Sequence, residues 1–135
     1  MTTAVDTSIL LDILLDDPTF ARSSEQGVID ARKLGRLIVC ETVIAELRPV
    51  LTSDEELSRF LDDLGLEFLA SNRETGFLAG SIYRNYLKNK GPAKRVLPDF
   101  LVAAHAQNFA DVLLARDRGY YREYFHNLKV VSPSF

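Results

Sequence analysis

The sequence predicts an α/β protein, a single-domain α/β/α sandwich with a mainly parallel central sheet. Two observations carry this expectation. Short apolar runs such as RLIVC (36–40) and DVLLA (111–115) are continuous rather than alternating, the pattern of strands buried on both faces. Between them stand longer segments with apolar residues at helical intervals, so strands and helices alternate along the chain. The length of 135 residues, 47% of them hydrophobic and 26% charged, suits one domain over residues 1–135 around one core.

In chain order, TTAVDT (2–7) reads as a buried strand and SILLDILLDD (8–17) as a short helix ended before Pro18. Residues 20–35 place Phe20, Val28, Ile29 and Leu34 at helical spacing, and Gly35 closes that helix ahead of RLIVC. ETVIAELRPVL (41–51) is a helix that Pro49 kinks or ends. Ser53 and Asp54 can cap DEELSRFLDDL, whose Leu57, Phe60, Leu61 and Leu64 share a face, and Gly65 precedes the strand LEFLA (66–70). A long helix fills 72–91, and another starts near Pro98 and runs to about Ala110. The strand DVLLA, a helical stretch over 117–125 and the strand LKVVS (128–132) complete the order.

With 16 Lys and Arg against 19 Asp and Glu, the net charge is -3, which excludes a general polyanion binder. Contact with nucleic acid then requires a local basic patch, or metal ions that reverse an acidic one. The lone Cys40 excludes an internal disulfide and a cysteine-based zinc cluster, and fits a reducing cytoplasm. Asp6 and Asp12 interrupt the first apolar stretch, which has no basic leader, and no stretch is long enough to cross a bilayer. We therefore expect a cytoplasmic chain with no membrane partner.

In a parallel α/β sheet the ligand site lies beyond the carboxyl ends of the strands, where strand order reverses. Asp6 ends the first strand and Asp117 follows DVLLA by two residues, so both belong at that edge. Asp99 stands in the first turn of a helix, at the same rim if that helix feeds the next strand by a right-handed crossover and the preceding long helix returns the chain to that edge. Glu46 lies inside a helix between Ile44, Ala45 and Leu47, an expensive place for a charge without a partner. Each acid also has an ordinary role. Asp6, Asp99 and Asp117 can serve helix starts, and Glu46 can pair with Arg48. Gathered in one crevice, the four carboxylates would raise one another's pKa values unless a divalent cation stood among them. Oxygen-only ligands suit Mg2+ or Mn2+, and the chemistry implied is hydrolysis of a phosphodiester or phosphate ester.

The pattern resembles the PIN-domain ribonucleases, and most of all the VapC-type toxins of toxin–antitoxin pairs. A hydrophobic strand running into Asp-Thr-Ser matches AVDTSIL at Asp6, and a small apolar run ending in Glu-Leu matches TVIAEL at Glu46. Asp-x-x-hydrophobic-Ala-Ala matches DFLVAAHA at Asp99, and the fourth acid matches Asp117 in LLARDRGY. The four motifs stand in order across the whole chain. The resemblance implies that Asp6, Glu46, Asp99 and Asp117 hold Mg2+ or Mn2+ and support endonucleolytic RNA cleavage. It also implies an antitoxin partner and a homodimer. Many relatives carry Thr or Ser two residues before the fourth acid, where this chain has Ala115.

Ser8 serves either a hydrogen bond near the metal or a helix cap. Lys88, Lys90, Lys94 and Arg95 form either a basic approach to an RNA backbone or a solvated loop, and Arg118 is a further phosphate contact. His105 and His126 read as packed or surface residues, and Cys40 as a small core residue. Tyr83, Tyr86, Tyr120, Tyr121 and Tyr124 read as packing or interface residues. Glu41 lies outside the motif that Glu46 fits. The amphipathic helices around DEELSRFLDDL and FLAGSIYRNYL are candidate dimer surfaces, although such stripes usually face the core.

Two other functions compete. A phosphatase of the haloacid-dehalogenase kind needs a second Asp two residues after the first, where Ser8 stands, and a phosphoacceptor domain of the receiver kind needs an acidic pair near the first strand and a lysine ending the last, neither of which the chain places. A non-catalytic RNA-binding or scaffold protein of the same fold fits the missing hydroxyl at Ala115.

Overall fold

The computed structural model describes residues 1–90, 96–116 and 119–133. Five strands, β1 (Thr2–Val5), β2 (Arg36–Val39), β3 (Leu66–Phe68), β4 (Val112–Leu114) and β5 (Val130–Val131), form one sheet in the order β3-β2-β1-β4-β5. Every pairing among them is parallel, with Thr3 of β1 opposite Leu37 of β2 on one side and Val112 of β4 on the other. The inner strands are buried throughout their apolar runs, as continuous hydrophobic strands require.

The helices are α1 (Thr7–Leu14), α2 (Ala21–Leu34), α3 (Glu41–Leu47), α4 (Asp54–Asp63), α5 (Arg73–Lys90), α6 (Leu97–Phe109) and α7 (Tyr120–Tyr124). β1 and β2 are shorter than their predicted runs because the last residues of each run are spent on turning into a helix. Asp6 and Cys40 are extended N-caps of α1 and α3 rather than strand residues. Pro49 acts as its chemistry dictates: α3 ends at Leu47 and one tight turn, Arg48–Val50, follows. Ser53 caps α4 by accepting from the Glu56 N–H at 3.1 Å. At Gly35, φ is 153°, and a Cβ there would strike the Met1 carbonyl, so only glycine closes α2 onto β2.

The core centres on Ile9, Leu10, Leu37, Ile38, Leu113, Phe100 and Phe125. In α2 the buried stripe is Ser24, Val28 and Ala31, whereas Ile29 and Leu34 are 40% and 63% exposed. Helical spacing alone does not say which stripe faces inward, and these two lie off the stripe that Val28 defines. The apolar faces of α4 and α5 do pack on the core through Phe60, Leu61, Leu64, Leu78, Ile82 and Leu87, leaving Phe77 exposed. No helix among the described residues is long and apolar enough to cross a membrane.

Candidate active site

The chain leaves β1 toward β2 and β3 on one side, and β4 and β5 lie on the other. The order therefore reverses between β1 and β4. Asp6 is the first residue past β1, and its N–H donates to the Leu114 carbonyl at 2.9 Å, which ties it to the end of β4. A cavity of about 250 Å³ opens at this point, and Asp6, Glu46 and Asp99 all line it. The crossover geometry thus brings the first three acids to one place, as a switch point should. Asp117 lies outside the described residues, as do Arg118, Lys94 and Arg95.

Asp6 is only 5% exposed. Ser8 donates to its Oδ2 from the backbone N–H at 3.2 Å and from Oγ at 2.5 Å, and the Tyr121 hydroxyl donates to Oδ1 at 2.9 Å. Asp6, not Ser8, therefore fills the capping role, and Ser8 serves to lock that carboxylate. Burial, then the charges of Asp6 and Asp99, push the Tyr121 phenol well above its ordinary range, so it stays a donor.

Glu46 sits in the last turn of α3, half-buried, and its Oε1 accepts from Thr7 Oγ1 at 2.7 Å. Burial raises its pKa and the negative charge of Asp6 adds to the shift, against the lowering effect of the Thr7 hydroxyl. Arg48 is not its partner, because that guanidinium pairs with Asp54 at 2.7 Å. Asp99, in the first turn of α6, accepts from the Tyr120 hydroxyl at 2.9 Å.

A second polar cluster borders the same cavity. Arg116, two residues past β4, forks onto Asp12 through Nε at 2.8 Å and Nη2 at 2.7 Å. Ser24 Oγ donates to the same carboxylate at 2.7 Å, and the guanidinium lies 4.2 Å from the centre of the Phe20 ring. Sequence reasoning missed this cluster and the roles of Tyr120 and Tyr121. The tyrosines are packing residues only in part, since both hydroxyls end on acids of the cavity. The one available signal was that they follow the predicted fourth acid closely.

The other weighed residues take the plainer roles. His105 is buried with Nε2 2.7 Å from the Leu69 carbonyl, Cys40 is buried, and Glu41 is taken by the backbone and hydroxyl of Ser71. The exposed His126 ring lies 2.7 Å from the Glu123 carbonyl.

The donor set facing the cavity is oxygen, from carboxylates and hydroxyls, which fits a hard divalent cation better than zinc. Among the described residues neither Asp6 nor Glu46 forms an ion pair. Among them too, no group of three His, Cys, Asp or Glu side chains is drawn together closely enough to hold an ion unaided.

Residues 3–125 match the model of the PIN domain family. The chain belongs to the PIN domain family. Comparison with curated protein sequences returns no match. Among solved structures, a chain of VapBC2 from Rickettsia felis, determined with a DNA fragment from its promoter, is similar at TM-score 0.73 and 21% identity. The alignment covers 99% of this chain and 100% of that one. A chain of VapBC-1 from nontypeable Haemophilus influenzae is similar at TM-score 0.69 and 19% identity, with 98% of each chain covered. One from the DNA-bound VapBC of Salmonella typhimurium gives 0.67 and 17%, again with 98% of each covered. At these identities the likeness is one of fold, and it extends over the entire PIN domain.

Proposed function

We propose that this PIN domain is a metal-dependent endoribonuclease, the toxin of a toxin–antitoxin pair. The observation that carries the reading is the convergence of Asp6, Glu46 and Asp99, from three separate segments, on one cavity at the sheet's switch point. Carboxylates gathered at one place repel one another, and a bound divalent cation offsets that repulsion.

Asp6, Glu46 and Asp99, with Asp117, would hold Mg2+ or Mn2+. When bound, such an ion lowers the pKa of a coordinated water and neutralises a phosphate oxygen. The protein's own part is to hold the acids in place beforehand. Asp6 is gripped at both oxygens, by Ser8 and by Tyr121, so it cannot swing as charge arrives. Thr7 fixes Glu46 and Tyr120 fixes Asp99 in the same manner.

The test is cleavage of structured RNA by the purified chain with Mn2+. Asp6→Asn and Asp99→Asn should abolish it, and equal cutting by the variants would remove the idea. The likeness to VapBC complexes supports an antitoxin partner, checked by whether the product of the neighbouring gene suppresses cleavage. A homodimer in the cytoplasm completes this reading, and light scattering tests the oligomeric state. One observation favours a non-catalytic RNA binder instead: Ala115, fully buried, supplies no hydroxyl beside the fourth acid. RNA binding indifferent to chelator, without products, would favour that alternative.

A further inference from the structure

The acidic cavity has a cationic wall that the nuclease reading does not use. Arg116 lines it beside Asp6, and the Arg116 backbone N–H reaches Ser8 Oγ at 3.4 Å, the same hydroxyl that donates to Asp6. Its side chain is held on two sides. The buried Asp12, 4% exposed, takes Nε and Nη2, and the Phe20 ring covers one face. Among the described residues nothing accepts from the remaining N–H groups, and the side chain keeps 25% of its surface exposed.

A purely structural ion pair has no need to stand at the mouth of an acid cavity. A substrate phosphate approaching three carboxylates meets repulsion, and a guanidinium at the rim offsets it where the phosphate must settle. Arginine suits this better than lysine, because one edge of its fork can be spent on Asp12 while the other is presented to phosphate oxygens. Because Asp12 and Phe20 already restrain the side chain, little conformational entropy remains to be lost when the phosphate binds.

We propose that Arg116, set by Asp12 and Phe20, is a phosphate-binding subsite for the RNA backbone at the edge of the carboxylate cavity. This rests on the nuclease reading of that cavity and adds a residue to it. The contact carries affinity and placement and no base preference.

The probe is a fluorescent single-stranded oligoribonucleotide, titrated at several salt concentrations in Ca2+ buffer with its intactness checked on gels. Arg116→Gln alone would strand the buried Asp12 charge and endanger the fold. The variant compared is therefore the double change Asp12→Asn with Arg116→Gln. Arg116→Lys, which keeps a cation for Asp12 but no fork, is run beside it. The double variant should bind about tenfold more weakly, and the slope of log affinity against log salt should shrink by about 0.7, one single-strand phosphate contact. Arg116→Lys should keep the slope and lose affinity. In Mn2+ the double variant's KM should rise with kcat nearly kept.

Wild-type affinity and slope in both variants would overturn the subsite. Should the double variant fail to fold, wild-type affinity in Arg116→Lys overturns it alone. Wild type that cuts RNA while the variants bind normally defeats this inference and leaves the nuclease reading standing. The expected slope change in the double variant, with a wild type that never cuts, defeats the nuclease reading instead.

Discussion

The hydroxyl of Tyr121 donates to Oδ1 of Asp6 at 2.9 Å, joining the last helix to the end of the first strand. Both partners are buried, at 2% and 5% exposure, so the bond works in a medium where an unmatched carboxylate oxygen is costly. Tyr121→Phe keeps the ring and its packing and removes only the donor. We expect it to fold, by circular dichroism, and to lose about 10–100-fold in Mn2+ affinity or in RNA cleavage, as loss of a residue supporting a metal ligand does. Unaltered Mn2+ affinity would show that the bond orients nothing.

If a cation binds the cavity, it stabilises the folded state by mass action. At an Mg2+ concentration near 100 times its Kd the gain is about 2.7 kcal/mol, visible as a rise in Tm that chelator reverses. Asp6→Asn should lose that rise. Equal Mg2+ shifts in wild type and variant would place the ion elsewhere.

The buried His105 gives the fold a pH dependence of defined sign. Burial pushes its pKa below the usual 6.5, outweighing the Leu69 carbonyl and Glu41, which pull it up. The folded state therefore resists protonation that the unfolded chain accepts. Stability from this group is present above pH 6.5 and falls as pH drops from there toward the lowered folded value. His105→Gln should remove this part of the decline. Urea unfolding of both proteins above and below pH 6.5 checks it: their stability difference should narrow on the acid side.

Phe100 follows Asp99 directly and is fully buried, with its ring set edge-on to those of Tyr86 and Phe125 and near Tyr120. It fastens the start of α6 to α7, and so the Asp99–Tyr120 contact depends on it. Phe100→Ala should cost about 3–5 kcal/mol in urea unfolding. A cost under about 1 kcal/mol would mean that the neighbouring rings close the gap.

The alternation of continuous apolar runs with helical segments was enough to read the parallel sandwich. It was also enough to place Asp6 at the edge where the cavity opens, because strand ends and switch points follow from element order. Asp99 was legible only through a condition, that the long helix α5 returns the chain to that edge, and it does. The grips on these acids were not legible. Tyr121 meets Asp6, and Arg116 meets Asp12, across more than 100 residues of chain, and no local period announces such a meeting. The exposure of Ile29 and Leu34 was not legible for a related reason: their spacing is helical, but which helical stripe faces inward is decided by the packing of α2.

The walls of the cavity come from residues as far apart as Asp6 and Tyr121. A ribosome part-way through the message therefore carries no assembled pocket. Until the segment after β4 has emerged and docked, the early acids have neither their later partners nor a crevice to share. A fragment cut short before that point lacks the assembled pocket on the same grounds.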